Sequence, residues 1–186
     1  MKKIDFTKDY YKGLKGIYLN RILDKVIELG NLKQEKGLIL DYGCGTGKLK
    51  QKLRKYNANI VGYDVISSLS DVKDFRSLKP SKIVCNAVLE LMSKEEIEAL
   101  LKDFLRMNPH ADLIVSFPTK NIISKTAALI ANTDYHHGHK INYKEASKII
   151  QKYYTLVKRS YVLTLSQVTK YSPKKQLNRI LLERNR

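Results

Sequence analysis

Residues 38–47, Leu-Ile-Leu-Asp-Tyr-Gly-Cys-Gly-Thr-Gly, constrain this chain more than any other stretch. Three apolar residues lead to Asp41. Gly43, Gly45 and Gly47 then alternate ahead of a segment of helical composition, Lys48 to Tyr56, with Leu49 and Leu53 at i, i+4. The run reads as a buried strand, a tight turn and a helix. Glycine is needed where a chain reverses from strand to helix and where a ligand lies against bare backbone. A second apolar run, Asn59 to Asp64, again ends in an acid. An acid at that strand tip, roughly 20 residues after a glycine turn, can accept both hydroxyls of a ribose.

The pattern D-x-G-x-G-x-G, followed by Tyr63-Asp64, resembles the class I S-adenosylmethionine-dependent methyltransferases. Dinucleotide dehydrogenases usually carry G-x-G-x-x-G and hold a pyrophosphate on the helix N-terminus. A carboxylate two residues before the first glycine repels a pyrophosphate and suits the cationic amino end of S-adenosylmethionine. The resemblance implies a Rossmann-like α/β fold: a mostly parallel, seven-stranded sheet with an antiparallel last strand. It implies S-adenosylmethionine as cofactor, S-adenosylhomocysteine as product, and cofactor contacts from Asp41, Gly43, Cys44, Gly45, Gly47, Asp64 and Val65.

Composition bounds the rest. A chain of 186 residues that is 43% hydrophobic is long enough for one α/β core, here a helical segment at 1–34 and a Rossmann-like core at 37–186. No apolar run approaches the roughly 20 residues of a membrane span, and Met1-Lys2-Lys3 leads into no signal segment. Cys44 and Cys85 lack C-x-x-C spacing, which argues against a disulfide framework or a zinc site and for a reducing, cytoplasmic setting. Net charge is +17 and unevenly spread. Residues 1–60 carry 14 basic and 6 acidic side chains, residues 61–135 carry 9 and 10, and residues 136–186 carry 12 and 2. Charge concentrated in two segments points to a polyanionic partner, RNA above all.

Along the chain, Leu19, Ile22, Leu23, Val26 and Ile27 recur at helical spacing before Gly30, so a helix precedes the sheet, with Tyr10 and Tyr11 ahead of it. Between strands two and four the family places a helix and a third strand ending in an acid; here that interval, Val65 to Pro80, is compressed. Asp74-Phe75 is the candidate for the acidic-hydrophobic pair near the adenine, with Asp71-Val72 as its rival. Lys82 to Asn86 reads as strand four, and Asn86 and Ala87 follow as cofactor contacts. Ala87 to Met92 resembles the N-x-V-L-E-H segment of many methyltransferases, with Leu91 in place of His. Ser93-Lys94-Glu95-Glu96 is a capping box opening a helix to Leu105. Ala111 to Ser116 is strand five, and a further helix starts at Asn142. Two closing strands are expected at 156–163 and 177–183, joined by a basic linker, 166–176.

Loops after parallel strands share the carboxyl edge of a sheet, where ligands bind. In the family's topology the closing hairpin emerges there too, which would set Lys170, Lys174 and Lys175 beside Phe117 and Lys120 as substrate contacts, with Lys140 assisting. Glu90, His136 and His139 are candidate catalytic groups. His137 shares their loop, but these histidines lack a third well-placed acid for a metal site. The chain has no [DNS]-P-P-[YFW] after strand four, which amino-methylating nucleic-acid enzymes carry, and Cys85 stands before the turn, not in the loop a 5-methylcytosine nucleophile occupies. Ile114 to Lys120 resembles a V-S-F-P-[TI]-[KR] segment of ribosomal RNA guanine-N7 methyltransferases. The expected acceptor is therefore RNA at a base nitrogen, with a small molecule or lipid as one alternative. A degenerate methyltransferase fold serving as a binding subunit is the other.

Overall fold

The computed structural model describes residues 13–119 and 139–175, in which six strands form one sheet in the order β2-β1-β3-β4-β6-β5. β1 (Ile39–Tyr42), β2 (Ile60–Tyr63), β3 (Lys82–Asn86) and β4 (Asp112–Pro118) are parallel. β6 (Ser166–Pro173) runs antiparallel between β4 and β5 (Tyr154–Val162). The mostly parallel sheet and its antiparallel last strand are as expected. The strand count is six among the described residues where seven were expected. Residues 64–81 supply the difference: they hold only single turns at Ser67–Leu69 and Phe75–Ser77. Rich in Ser, Asp and Lys, this interval lacks the alternating apolar residues that a strand buries.

β2 is therefore the outer strand, and Asp71 closes part of its edge. The Asp71 N–H donates to the Gly62 carbonyl at 2.9 Å, while its Oδ2 accepts the Gly62 N–H at 2.7 Å. Gly62 also lets the glycine turn come close, since a Cβ there would lie 2.8 Å from the Cys44 sulfur.

Helices cover both faces. α1 (Gly13–Gly30) and α2 (Lys48–Leu53) bury Leu23, Val26, Leu49 and Leu53 against Ile39, Val84, Ile114 and Val168. α3 (Lys94–Met107) and α4 (Tyr143–Tyr153) bury Leu101, Phe104, Ala146 and Ile150 against Leu40, Ile83, Val115 and Tyr171. The capping box at Ser93 and Glu96 forms as the sequence indicates, and the Asn142 side chain caps α4 through the Lys144 and Glu145 N–H groups.

The closing strands differ from expectation. β5 and β6 are joined by the tight turn 163–165, so the supposed linker is itself a strand; residues 177–183 lie outside the described residues. Gln167, Thr169 and Tyr171 take one face of β6 and Val168 the other, and the polar identity of two buried residues hid this strand. The consequence corrects the lysine placement. β6 runs away from the carboxyl edge, so Lys170 pairs opposite Ile114 and its Nζ reaches Asp112, at the start of β4, at 3.0 Å. Lys174 and Lys175 follow the end of β6. All three lie at the edge opposite the glycine turn.

Asp74 and Phe75 also stand elsewhere than beside the glycine turn, packed toward α3. Phe75 is 2% exposed, with ring centroids 5.1 Å from Tyr42 and 4.8 Å from Tyr63, and Phe104 of α3 at 6.1 Å. Asp74 caps the Phe75 turn and pairs with Arg76, which reaches Asp103 of α3. The pair is a joint between the compressed interval and α3. Phe75→Ala should cost about 3–5 kcal/mol, the usual penalty for removing an enclosed ring, and urea denaturation measures it.

Candidate active site

The glycine turn stands between the end of β1 and α2. Gly43, Gly45 and Gly47 have φ of 76°, 50° and 70°, in the left-handed region. At Gly43 the need is also steric: a Cβ would lie 2.3 Å from a Val88 methyl of the loop after β3. At Gly45 and Gly47 a Cβ would meet nothing within 4 Å, so the turn presents bare backbone to open space. The Gly43 and Cys44 N–H groups bond the Tyr63 carbonyl at 2.7 and 3.1 Å, tying the turn to the end of β2.

Asp64 completes that tie. Its Oδ2 accepts the Gly45 N–H at 2.9 Å and its Oδ1 accepts the Ile66 N–H at 3.0 Å. Each oxygen keeps a second lone pair, so the carboxylate can still accept hydroxyls. Val65 beside it is 83% exposed, an apolar surface next to the acid. Asp41 is 3% exposed, and no donor among the described residues bonds its carboxylate. Burial, then the neighbouring Asp64 and Asp71, push its carboxyl up to about 7. Of the two acids in the compressed interval, Asp71 is therefore the one beside the turn; it also pairs with Lys50 of α2 at 2.9 Å. Three acids around bare glycine backbone form a site that favours a cation. The same surroundings, burial first and then these acids, push the Cys44 thiol up to about 12, which leaves it a poor nucleophile.

The loop after β3 sits across from the turn. Asn86 Oδ1 accepts the Ser116 hydroxyl at 2.7 Å, and Ser116 Oγ accepts the Ala87 N–H at 3.0 Å. This clamp holds Ala87 exposed and left-handed at φ 56°. Such a conformation in a residue with a Cβ persists only when its surroundings enforce it. Glu90 follows, 3% exposed, its carbonyl accepting the Lys140 N–H at 2.8 Å; burial pushes its carboxyl up to about 8.

Phe117 is 1% exposed, its ring enclosed in the core cluster beneath α3 and α4. Lys120, His136 and His137 lie outside the described residues, while His139 stands at the entry to α4. Cys85 is fully buried and its thiol is pushed up by burial, consistent with a packing role. No group of three or more possible metal ligands occurs among the described residues.

Several site residues carry no local signal. Ser116 is a buried strand residue whose role depends on its place opposite Asn86. Tyr18 of α1 reaches Ser166, at the start of β6, with oxygens 2.6 Å apart, and so brings α1 to the same edge as the glycine turn. The 163–165 turn also lies there, held by the Thr119 N–H on the Leu165 carbonyl at 2.8 Å.

With the geometry in place, known proteins can be set beside it. Residues 15–185 match a family model described as a methyltransferase domain. The chain belongs to this family. It is 38% identical over 72 residues to an uncharacterized methyltransferase of Schizosaccharomyces pombe, covering 37% of this chain and about a quarter (25%) of that relative's length. A S-adenosylmethionine-dependent methyltransferase from Aquifex aeolicus superposes with TM-score 0.68 at 16% identity, over 92% of this chain and 100% of the other. Magnesium protoporphyrin IX methyltransferase from Synechocystis, solved with S-adenosylhomocysteine, superposes with TM-score 0.60 at 17% identity, over 94% and 90%. The fold is thus that of the class I methyltransferases, whose cofactor is S-adenosylmethionine. Among the described residues no helix is long and apolar enough to cross a membrane.

The raised acids have a consequence for stability. Between the ordinary carboxyl range and about pH 7, folded Asp41 holds a proton that the unfolded chain releases, so its contribution favours folding at low pH and is lost as pH rises through about 7. Glu90 behaves likewise through about 8. The unfolding free energy of the ligand-free protein should fall from about pH 4 to about pH 8. Asp41→Asn should reduce that fall up to about pH 7 and Glu90→Gln up to about pH 8, read by chemical denaturation across a pH series.

Proposed function

We propose that this protein transfers a methyl group from S-adenosylmethionine to a nucleophile held at the carboxyl edge of the sheet. One observation carries the reading: Asp41, a buried carboxylate with no donor among the described residues, stands beside left-handed glycines and a second acid, Asp64. The residues fit the cofactor. Asp41 suits its ammonium, the bare backbone at Gly45 and Gly47 leaves room for it, and Asp64 can accept its ribose hydroxyls. Val65 offers an apolar surface, and Asn86 and Ala87 face the turn across the edge. When bound, the cofactor supplies an electrophilic methyl on a sulfonium. The protein's part is to align the two reactants, which can supply much of the acceleration without a dedicated catalytic group.

For the acceptor, a small molecule is the leading reading. Lys170, Lys174 and Lys175, the main charge-based argument for RNA at the mouth, lie at the opposite edge, and Lys170 is engaged with Asp112. RNA remains the second reading because of the +17 charge and its excess of 10 in residues 136–186. Methyl transfer from labelled cofactor to total RNA and to a metabolite extract separates the two. RNA binding that does not weaken between roughly 50 and 200 mM salt would count against a phosphate-contacting surface.

Calorimetric titration with S-adenosylhomocysteine tests the cofactor assignment, and NADH serves as the contrast. Binding of NADH alone would sink it. Asp64→Ala should weaken S-adenosylhomocysteine binding by tenfold or more, on the order of the 1.4 kcal/mol or greater expected when a charged acceptor is lost. Affinity should also drop about tenfold between pH 8 and pH 6, because Asp41 must shed a proton to meet the ammonium. Asp41→Asn should bind weakly at both.

A further inference from the structure

Two buried acceptor atoms near the carboxyl edge have no donor among the described residues. Glu90 is 3% exposed and its Oε2 has no hydrogen-bond partner. Gln167 is fully enclosed; its Nε2 donates to Thr169 Oγ1 at 2.8 Å, and its Oε1 has no partner. Native folds leave few buried polar atoms unsatisfied, and each one calls for an occupant or a functional reason.

Their placement suggests which. Gln167 pairs opposite Phe117, one residue past the level at which Ser116 pairs with Asn86. It shares a face of β6 with Tyr171, whose hydroxyl donates to Ser147 of α4 at 3.2 Å, so it lies on the side covered by α3 and α4. Glu90 lies on the turn that leads from β3 into α3, and residue 140, just before α4, holds its carbonyl. Both acceptors thus occupy one layer at the end of the sheet that carries the glycine turn. β3 and β6 are two strand spacings apart, about 10 Å, the span of a small organic molecule. The Tyr154 hydroxyl, also buried and unpartnered among the described residues, belongs to a side chain whose backbone stands opposite Pro173 and whose hydroxyl comes within electrostatic reach of Cys85.

We infer that Glu90 and Gln167 are two ends of the methyl-acceptor site, and that the acceptor is a small molecule bearing N–H or O–H groups, an amine or a hydroxyl compound. The inference rests on the methyltransferase reading above. Gln167 Oε1 takes a hydrogen bond from one end of the acceptor, and Glu90 holds the reacting heteroatom. That heteroatom's lone pair forms the bond to the methyl carbon as the carbon–sulfur bond breaks and leaves its electron pair on sulfur. The heteroatom's proton passes to Glu90 once its carboxyl, kept protonated by burial up to about pH 8, is ionised. Of the titratable groups near Glu90, Cys85 of β3 comes within electrostatic reach of its carboxyl, and Lys140 ahead of α4 meets it through the backbone N–H. The Lys140 ammonium is turned to Glu96 at 3.2 Å.

Four probes of matched shape test this on the full-length protein saturated with S-adenosylhomocysteine: phenol against anisole, and benzylamine against benzyltrimethylammonium. Dissociation constants come from ligand-observed NMR. At least one donor-bearing probe should bind tenfold or more tightly than its capped counterpart. Glu90→Leu and Gln167→Leu should each erase that preference while keeping or raising the thermal midpoint, since an unpaired buried acceptor is removed. Should a Leu variant fail to fold, Glu90→Gln must still lose methyl transfer to a donor-bearing acceptor while retaining binding within threefold. Equal binding of capped and uncapped probes, binding by none of them, or a preference that survives both substitutions would overturn the inference and leave ordered water as the occupant. The cofactor titration on the same samples keeps the readings apart. No S-adenosylhomocysteine binding sinks the methyltransferase assignment, whereas cofactor binding without donor preference sinks only the acceptor site.

Discussion

A single carboxylate, Asp64, ties the working end of this protein together. Its bond to the Gly45 N–H at 2.9 Å fixes the glycine turn against β2, and its bond to the Ile66 N–H turns the chain away from the sheet. The neighbouring N–H groups of Gly43 and Cys44 add two bonds to the Tyr63 carbonyl. With the turn so held, its glycines keep their left-handed backbone and Asp41 is buried beneath them. Asp41 lies close enough to Asp64 and Asp71 for their charges to raise its carboxyl to about 7. The electrostatic character of the site, three acids gathered beside bare glycine backbone, follows from that geometry.

The same region shows how a sheet tolerates a missing strand. An outer parallel strand leaves N–H and carbonyl groups unpaired, and such an edge invites unwanted pairing. Asp71 answers part of this need with one side-chain and one backbone bond to Gly62, and Ser70 Oγ accepts the Asp64 N–H at 3.2 Å. The irregular chain of residues 64–81 thus stands where a strand and a helix would otherwise be. The Phe75 ring, packed among Tyr42, Tyr63 and Phe104, anchors the far end of that chain to α3.

At the opposite edge, charge is used for structure. Asp112 accepts from Lys82 at 2.5 Å, Ser172 at 2.5 Å and Lys170 at 3.0 Å. Although burial pushes its carboxyl up, these three donors hold it below the ordinary range. The cluster joins the starts of β3 and β4 to the end of β6. Lys170 is thus a fastening within the sheet, and the basic character of residues 166–175 does not amount to a rim around the site.

The sequence by itself determined the strand–glycine–helix unit, the acids at Asp41 and Asp64, the capping box at Ser93 and the α/β class. Each of these depends on backbone preference or periodicity within a few residues. It did not reveal β6, because a strand with Gln167 and Thr169 turned inward looks polar, and only the neighbouring strands and α4 make those positions buried. Nor did it decide between Asp71 and Asp74, since the choice depends on which acid the chain's path carries back to Gly62. The Asn86–Ser116–Ala87 clamp joins residues thirty positions apart, and the Tyr18–Ser166 contact joins residues further apart still. Such pairs exist only once the sheet sets its register, so tertiary structure alone decided which side chains meet at the site and which lysines do not.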